Sequence, residues 1–360
     1  MNGHFDDYSP RLAALCQNLK SRSDRWRSVD DWPAESLALC GEADLYRWFH
    51  EARWGGWEWA EADVIRGYLQ LSAACLNTTF IITQRTAACL RLERSENEAA
   101  KQRWLPDLVA GHSFATVGIS HLTTSRQHLA PVMKAERDGT GFRLTGSSPW
   151  VTGAAHATMI VTGATLDDGT QILVTLPTDR PGVSVPRPLD LIGLSASATG
   201  SVACEQVRIE ADEVLFGPLP QVMQAGAGGG TGGLQTSTLA LGLSRAALDL
   251  VADEARRREP LQPISETFER RWEGAVEHLL GAAREPGSRD LAEIRREAND
   301  LVLQSTQAAL AAAKGTGYVA GHGAGKWAVE ALFFLVWSCP FGVIQSHLCD
   351  WSAAPTIVND

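Results

Sequence analysis

The sequence predicts an α+β protein in three consecutive parts: an N-terminal helical domain over residues 1–113, a middle antiparallel β domain over 114–222 and a C-terminal four-helix bundle over 223–360. Three observations predict this class. Apolar residues recur every three or four positions in the first and last parts, which is the period of an amphipathic helix. They alternate with polar residues in the middle part, which is the period of a strand. The length of 360 residues suffices for two or three domains.

The first part is predicted helical from Pro10 to about Gly111. Ser9-Pro10 suits the start of a helix, because proline is tolerated at the first helical position. A cluster of tryptophans follows, at Trp48, Trp54, Trp57 and Trp59. Such a cluster could be a stacking platform for a base or a sugar, but we favour an aromatic packing corner between helices.

The middle part contains several short strand-like runs, including FRLTG, TMIVTGA, QILVTLP and SVACEQVRI. Turn dipeptides such as Asp138-Gly139 and Asp168-Gly169 separate them, which is typical of a small antiparallel barrel or sandwich. A glycine-rich segment follows at residues 224–233. It lacks the Lys-Ser/Thr pair of a phosphate-binding P-loop, so it is predicted to be a flexible hinge.

The last part holds four amphipathic segments, separated by breaks at residues 260–263, 286–287 and 315–325. Short breaks between such segments predict an antiparallel four-helix bundle. The final segment is unusually apolar over residues 331–337. We therefore expect it to be buried, either in the bundle or against another subunit.

Composition excludes several classes of partner. The formal net charge is −10 and no basic stripe is present, so nucleic acid and anionic membranes are not expected partners. The seven cysteines are scattered without metal-site spacing, which predicts neither a zinc site nor a disulfide framework and favours a reducing cytoplasm. No run of 18 apolar residues and no targeting segment is recognisable, so we expect a cytoplasmic protein that does not span a membrane.

Two polar loops of the β part indicate one binding site. The first contains Ile119-Ser120 and continues through His121 to a serine and threonine cluster that includes Ser125. The second is Pro149-Trp150-Val151-Thr152-Gly153. Both loops lie at predicted strand ends, where backbone groups and hydroxyls are presented to a ligand.

These motifs, in this order, resemble the acyl-CoA dehydrogenase family over about residues 60 to 349. The resemblance implies FAD bound between the β domain and the bundle and across a subunit boundary, and therefore a homodimer or homotetramer. It also implies an acyl-CoA or carrier-bound acyl thioester as substrate and a possible electron-transfer partner.

The resemblance also implies roles for particular residues. Ile119-Ser120 is similar to the family's Ile-Ser or Val-Thr pair, which places hydrogen bonds on the flavin ring; Ser125 matches a family serine only if the loop is aligned without a gap. Trp150 would pack beside the flavin and Thr152 would bond near its reactive edge, although a buried core tryptophan is the alternative. Three further residues match positions that bind the rest of the FAD, namely Arg257 for the pyrophosphate and Gly315 and Gly317 for the adenosine of a neighbouring subunit.

The family's catalytic base is a glutamate in a Tyr-Glu-Gly-Thr motif, and the similar stretch here is WSCPFG over residues 337–342. The position of the base therefore holds Ser338 or Cys339. A minority of the family carry the base on the first bundle helix, where this chain has Gly232. Cys339, Ser338 and His121 remain as catalytic candidates. His156 is a further candidate proton carrier, and Glu330 and Asp350 are predicted to make helix-surface contacts.

Three functions stay open at this stage. The first is a flavin-dependent oxidoreductase that introduces an α,β double bond into an acyl thioester with a displaced or atypical base. The second is a flavin-dependent monooxygenase or oxidase on the same scaffold, which needs no α-proton base. The third is a relative that binds a ligand or a partner without catalysis.

Overall fold

The computed structural model of the chain describes residues 5–25, 27–123, 132–225 and 233–352. The helices within these ranges are α1 Phe5–Arg22, α2 Ala34–Glu42, α3 Glu61–Ala74, α4 Leu76–Glu93, α5 Glu98–Ala110, α6 Leu234–Arg257, α7 Gln262–Arg284, α8 Leu291–Gly317, α9 Gly323–Ala331 and α10 Phe341–Ser352. The strands are β1 Ala115–Gly118, β2 Met133–Asp138, β3 Gly141–Thr152, β4 Met159–Thr165, β5 Gln171–Pro177, β6 Val183–Ser184, β7 Thr199–Ile209 and β8 Val214–Leu219. The order of helices, strands and helices confirms the predicted fold class.

The strands form one sheet in the order β6-β7-β3-β2-β4-β5-β8, with β1 beside β4. The prediction of a purely antiparallel β domain was wrong in one respect, because β4 pairs in parallel with both β1 and β2. Parallel pairing is possible here because a long connection, containing the β2–β3 hairpin, separates β1 from β4. The sheet places β1 against α4, so the loop that follows Gly118 starts next to this helix.

Aromatic side chains pack the N-terminal helices together, as the tryptophan cluster predicted. Trp48 is fully buried and stacks on Trp59, with 4.5 Å between the ring centroids. Tyr8 of α1 lies edge-on to both rings. The predicted start of α1 at Pro10 was wrong, because the helix already includes Phe5; the proline lies one turn inside it and removes a single backbone donor.

The C-terminal part consists of three long helices and a broken fourth segment. Helix α6 packs on α3, α7 and α8, and Ser72 Oγ of α3 donates a hydrogen bond of 2.7 Å to Leu239 O. The last predicted helix is interrupted between α9 and α10 by a 3₁₀ turn at Leu332–Leu335 and a loop that ends at Pro340. Proline has no N–H to donate, and Ser338 has φ of +47°, so the helix cannot continue through this loop.

Within one chain, the final apolar segment is only partly buried. Phe334 is fully buried, whereas 76% of Val336 is exposed. None of the helices in the described ranges is long and apolar enough to cross a membrane.

We predict that Gly67→Ala destabilises the protein by about 2 kcal/mol, because a Cβ on Gly67 would lie 2.3 Å from Trp48 Cζ3 in a closely packed core. Gly274→Ala in α7 is the matched control. Nothing lies within 4 Å of the Cβ position there, so this change should stabilise the helix by up to about 1 kcal/mol. Urea unfolding of both variants tests the pair, and equal stability of Gly67→Ala and the wild type would contradict the packing corner.

Candidate active site

One cleft of about 1720 Å³ lies between the sheet and the helical parts. It is bordered by α3 and α4, by the ends of β1 and β3, by the start of α6 and by the segment 329–340. Six of the residues predicted from the sequence line it, namely Ile119, Ser120, Trp150, Thr152, Ser338 and Cys339. Four others, His121, Arg257, Gly315 and Gly317, lie outside its lining. Ser125 and Gly232 lie outside the described residues.

A bulge in β3 turns Trp150 into the cleft. Between Ser148 and Val151 the strand has one residue more than its partner strand β7. Proline at 149 cannot donate a ladder hydrogen bond, and Trp150 adopts φ of +57°, a conformation that is unfavourable for a residue with a large side chain. As a result, 54% of the Trp150 side chain is exposed. The structure therefore does not show the buried core tryptophan that was the alternative interpretation.

Hydroxyl groups lie on both sides of this tryptophan. Ser120 Oγ donates a hydrogen bond of 2.8 Å to Pro149 O, which ties the β1 loop to the bulge. The Ser120 hydroxyl hydrogen is therefore occupied, and Oγ is left to accept a bond from a ligand. Thr152 Oγ1 lies 2.9 Å from Thr199 Oγ1, and Thr199 in turn lies 2.8 Å from Ser197 Oγ. This buried chain of hydroxyls fixes the orientation of Thr152 at the cleft surface.

The two histidines named as proton carriers have other contacts. His121 is buried, and its Nε2 lies 2.8 Å from Gly163 O. A carbonyl can only accept, so Nε2 carries the proton and Nδ1 faces Ser148 Oγ at 3.3 Å. His156 stacks on Trp32 with 4.2 Å between the ring centroids, and burial lowers its pKa. Neither imidazole lines the cleft.

Ser338 and Cys339 are held by two fully buried polar side chains of α8. Arg295 Nη2 donates to Phe334 O and to Trp337 O, each at 3.0 Å. Asn299 Nδ2 donates to Phe334 O at 3.2 Å and lies 3.8 Å from Cys339 Sγ. Burial lowers the pKa of Arg295 to about 10, and the neighbouring Cys339 thiol opposes this effect. Within the described ranges, no carboxylate lies within 4.0 Å of Arg295.

Glu330 does not make the surface contact predicted for it. Its side chain is buried, burial raises the pKa of its carboxyl, and Lys326 Nζ lies 3.9 Å away. Asp350 is exposed on α10. The carboxylate that does line the described part of the cleft is Glu61, at the start of α3. Burial raises its pKa, and the charge of Arg94 opposes this change.

Arg257, Gly315 and Gly317 lie together at the ends of α6 and α8, which a hydrogen bond from Arg258 to Ala312 O connects. Arg257 is 75% exposed and bonds to Glu254. A Cβ on Gly315 would meet nothing within 4 Å, whereas one on Gly317 would lie 2.8 Å from Ala313 Cβ. Packing within this chain therefore requires glycine at position 317.

The geometry fits a flavin. The cleft is larger than a typical small-ligand pocket of about 300–1,000 Å³, so it has room for a flavin ring and a second ligand. The exposed Trp150 ring offers an aromatic surface, and Ser120 and Thr152 beside it offer polar contacts for ring heteroatoms. No cluster of metal-ligating side chains occurs in the part of the chain that the structure describes.

Sequence reasoning missed the face that α4 contributes to the cleft. Phe80, Gln84, Ala87, Arg91 and Arg94 line it at helical spacing. The sequence offered one indication, since Arg91 follows a largely apolar run in this helix. It did not indicate the side on which this arginine lies, because α4 is buried on nearly all sides.

Comparison with known proteins places the chain near one group of enzymes. No protein-family model matches it. It is 32% identical over 174 residues to the probable acyl-CoA dehydrogenase YngJ of Bacillus subtilis, an alignment that covers 47% of this chain and 46% of that protein. It is 26% identical over 196 residues to the mitochondrial short-chain specific acyl-CoA dehydrogenase of Bos taurus, covering 52% and 47%. The chain thus spans about half the length of the curated relatives it matches.

The structural similarity extends over nearly the whole chain. A glutaryl-CoA dehydrogenase from Mycobacterium smegmatis in complex with FADH2 superposes with a TM-score of 0.81 at 17% identity, covering 98% of this chain and 96% of that one. A dibenzothiophene monooxygenase from Paenibacillus gives 0.77 at 17% identity, covering 97% and 98%. At these identities the likeness shows a shared fold.

We predict that Trp150→Ala combined with Thr152→Ala abolishes flavin binding, because it removes the aromatic surface and the fixed hydroxyl together. The single change Trp150→Ala should weaken binding with little loss of stability, since half of this side chain is exposed. Trp351→Ala, which removes a tryptophan that is 59% exposed on α10, is the matched control. Flavin fluorescence titration measures the affinities, and an unchanged affinity in the double variant would show that this surface does not hold the cofactor.

Proposed function

We propose that the chain, which is similar in sequence to acyl-CoA dehydrogenases over about half its length and shares their fold, is an FAD-dependent oxidoreductase that introduces an α,β double bond into an acyl thioester. The observation that supports this most is the cleft, which places Trp150, Ser120 and Thr152 on the sheet side and the segment 337–340 on the helical side. These three residues would hold the flavin ring, which when bound supplies the acceptor for the two electrons of the reaction.

The reaction also needs a group that removes a proton α to the thioester carbonyl. The cleft segment 332–340 contains no carboxylate, so the base is displaced or atypical. Cys339 lies in this segment and lines the cleft, with its Sγ 3.8 Å from the amide of Asn299, so its thiol is the candidate base there. Glu61 is the alternative if the thioester binds at the other end of the cleft, beside Arg94, since a carboxyl whose pKa is raised is a stronger base than an ordinary one.

A flavin-dependent monooxygenase or oxidase is the second candidate function. The same lack of a carboxylate in segment 332–340 favours it, because a reaction with oxygen does not require an α-proton base. The fold shared with the dibenzothiophene monooxygenase is compatible with this activity. The first function needs a partner that accepts electrons from the reduced flavin. A monooxygenase instead needs a donor that reduces the flavin, and an oxidase passes the electrons of its substrate to oxygen.

We also propose that the protein is a homodimer or homotetramer. Large apolar side chains of the C-terminal helices are exposed, including Tyr318 at 86% and Phe341 at 73%. Arg257 and Gly315 lie outside the cleft of their own chain, so they could contact a cofactor only in a second copy. Sedimentation analysis would reject this assembly if the protein stayed monomeric at all concentrations.

We predict that the purified protein is yellow and that its flavin absorbance is bleached anaerobically by members of an acyl-CoA panel. Cys339→Ala should slow bleaching by at least about 10²-fold with flavin still bound, which is the usual contribution of a proton-transfer group. Glu61→Gln is the paired variant. If Glu61 is the base, Glu61→Gln should slow bleaching and Cys339→Ala should not. The monooxygenase or oxidase would be favoured if no acyl-CoA bleached the flavin but the flavin, once reduced with dithionite, consumed oxygen rapidly. A colourless protein that takes up no flavin would reject both functions in favour of a non-catalytic relative.

A further inference from the structure

The cleft has a polar end formed by α4. Phe80, Gln84, Ala87, Arg91 and Arg94 follow one another along the cleft-facing side of this helix. The two arginines lie at its C-terminal end, where α4 meets the start of α3 and Glu61. We call this part of the cleft the arginine end.

The length of α4 separates the arginine end from Cys339. Phe80 packs against Phe333 and Trp337, with 4.9 Å between ring centroids in each pair, so it marks the end of the cleft next to Ser338 and Cys339. A helix rises 1.5 Å per residue, which places Arg91 about 16 Å further along the axis than Phe80. A single ligand that reaches both ends must therefore be long.

The charge of Arg91 is only partly compensated. Its Nη1 donates a hydrogen bond of 2.9 Å to Ala87 O in its own helix. Among the described residues, no carboxylate lies within 4.0 Å of its guanidinium. Burial lowers the pKa of Arg91 to about 10, and the positive charge of Arg94 adds to this effect. An anion bound here would stabilise the charged form of Arg91 against the cost of burial and the repulsion from Arg94.

The anion is expected on the solvent side of the ligand. Arg94 and Glu61 are exposed, whereas Phe80 at the other end is buried. The arginine end is therefore open to solvent. A thioester of the phosphopantetheine class carries a phosphate at such a place, whatever its acyl group. Thirteen bonds separate its sulfur from its phosphorus, and an extended chain of that length spans about 15 Å on backbone geometry.

We infer that Arg91, assisted by Arg94, binds the phosphate of a phosphopantetheinyl thioester whose acyl group lies near Trp337 and Cys339. This inference rests on the proposed function for the choice of a thioester. It adds the part of the substrate that is recognised and the residues that recognise it. It applies equally to a thioester of coenzyme A and to one on a carrier protein, since both have this phosphate.

The test compares 4′-phosphopantetheine with pantetheine, which differs only in lacking the phosphate. Calorimetric titration of the purified, flavin-loaded protein should show about tenfold tighter binding of the phosphorylated compound, as expected for one charge-assisted contact. In Arg91→Met the two compounds should bind equally, and Arg91→Lys should retain part of the preference. Arg103→Met, which removes an exposed arginine of α5 outside the cleft, should leave the preference unchanged.

Two results would overturn the inference. One is equal binding of both compounds by the wild type, and the other is an undiminished phosphate preference in Arg91→Met. A third arm compares pantetheine thioesters of a dicarboxylic and a monocarboxylic acid. Discrimination there, together with indifference to the phosphate, would assign the arginines to the acyl group instead. Because binding is measured without turnover, a failure of flavin reduction is distinguishable from a failure of phosphate recognition.

Discussion

A buried guanidinium holds the helical side of the cleft in place. Arg295 is fully buried, and its Nη2 bonds to the two carbonyl oxygens, Phe334 O and Trp337 O, at the end of the 3₁₀ turn. These carbonyls lie where α9 stops, so no continuing helix provides their donors. Burying a charge costs several kcal/mol unless it is paired, and no carboxylate in the described ranges offsets that cost. Arg295, together with Asn299, therefore stabilises the interruption between α9 and α10 that exposes Ser338 and Cys339 to the cleft.

The architecture could be predicted from the sequence because the spacing of apolar residues indicates which face of a helix or strand is buried. The alternation in the middle part and the helical spacing elsewhere were enough to place the three parts in order. The pattern could not show that β4 pairs in parallel with β1, since a strand has the same alternation in either pairing. Nor could it show where the last helix breaks, although Pro340 is visible in the sequence, because apolar residues continue on both sides of it.

The site was harder to predict than the fold, since its residues come from distant segments. Trp150 and Thr152 belong to one short motif and were found together. Arg295 and Asn299 lie four residues apart on α8, yet nothing in the sequence indicates that both face the carbonyl of Phe334. The same holds for Arg91, because it lines the same cleft as Glu61 only through the packing of α3 on α4. Tertiary contacts of this kind have no local sequence pattern.

The bulge at Pro149 and Trp150 has a consequence for protein engineering. The backbone sets the direction of the Trp150 side chain, through the extra residue in β3 and the proline before it. A residue of this kind can be exchanged without repacking a core, because more than half of it is already exposed. Asparagine and glycine tolerate its left-handed conformation best. Position 150 is therefore a suitable starting point for a saturation library that reshapes the cleft.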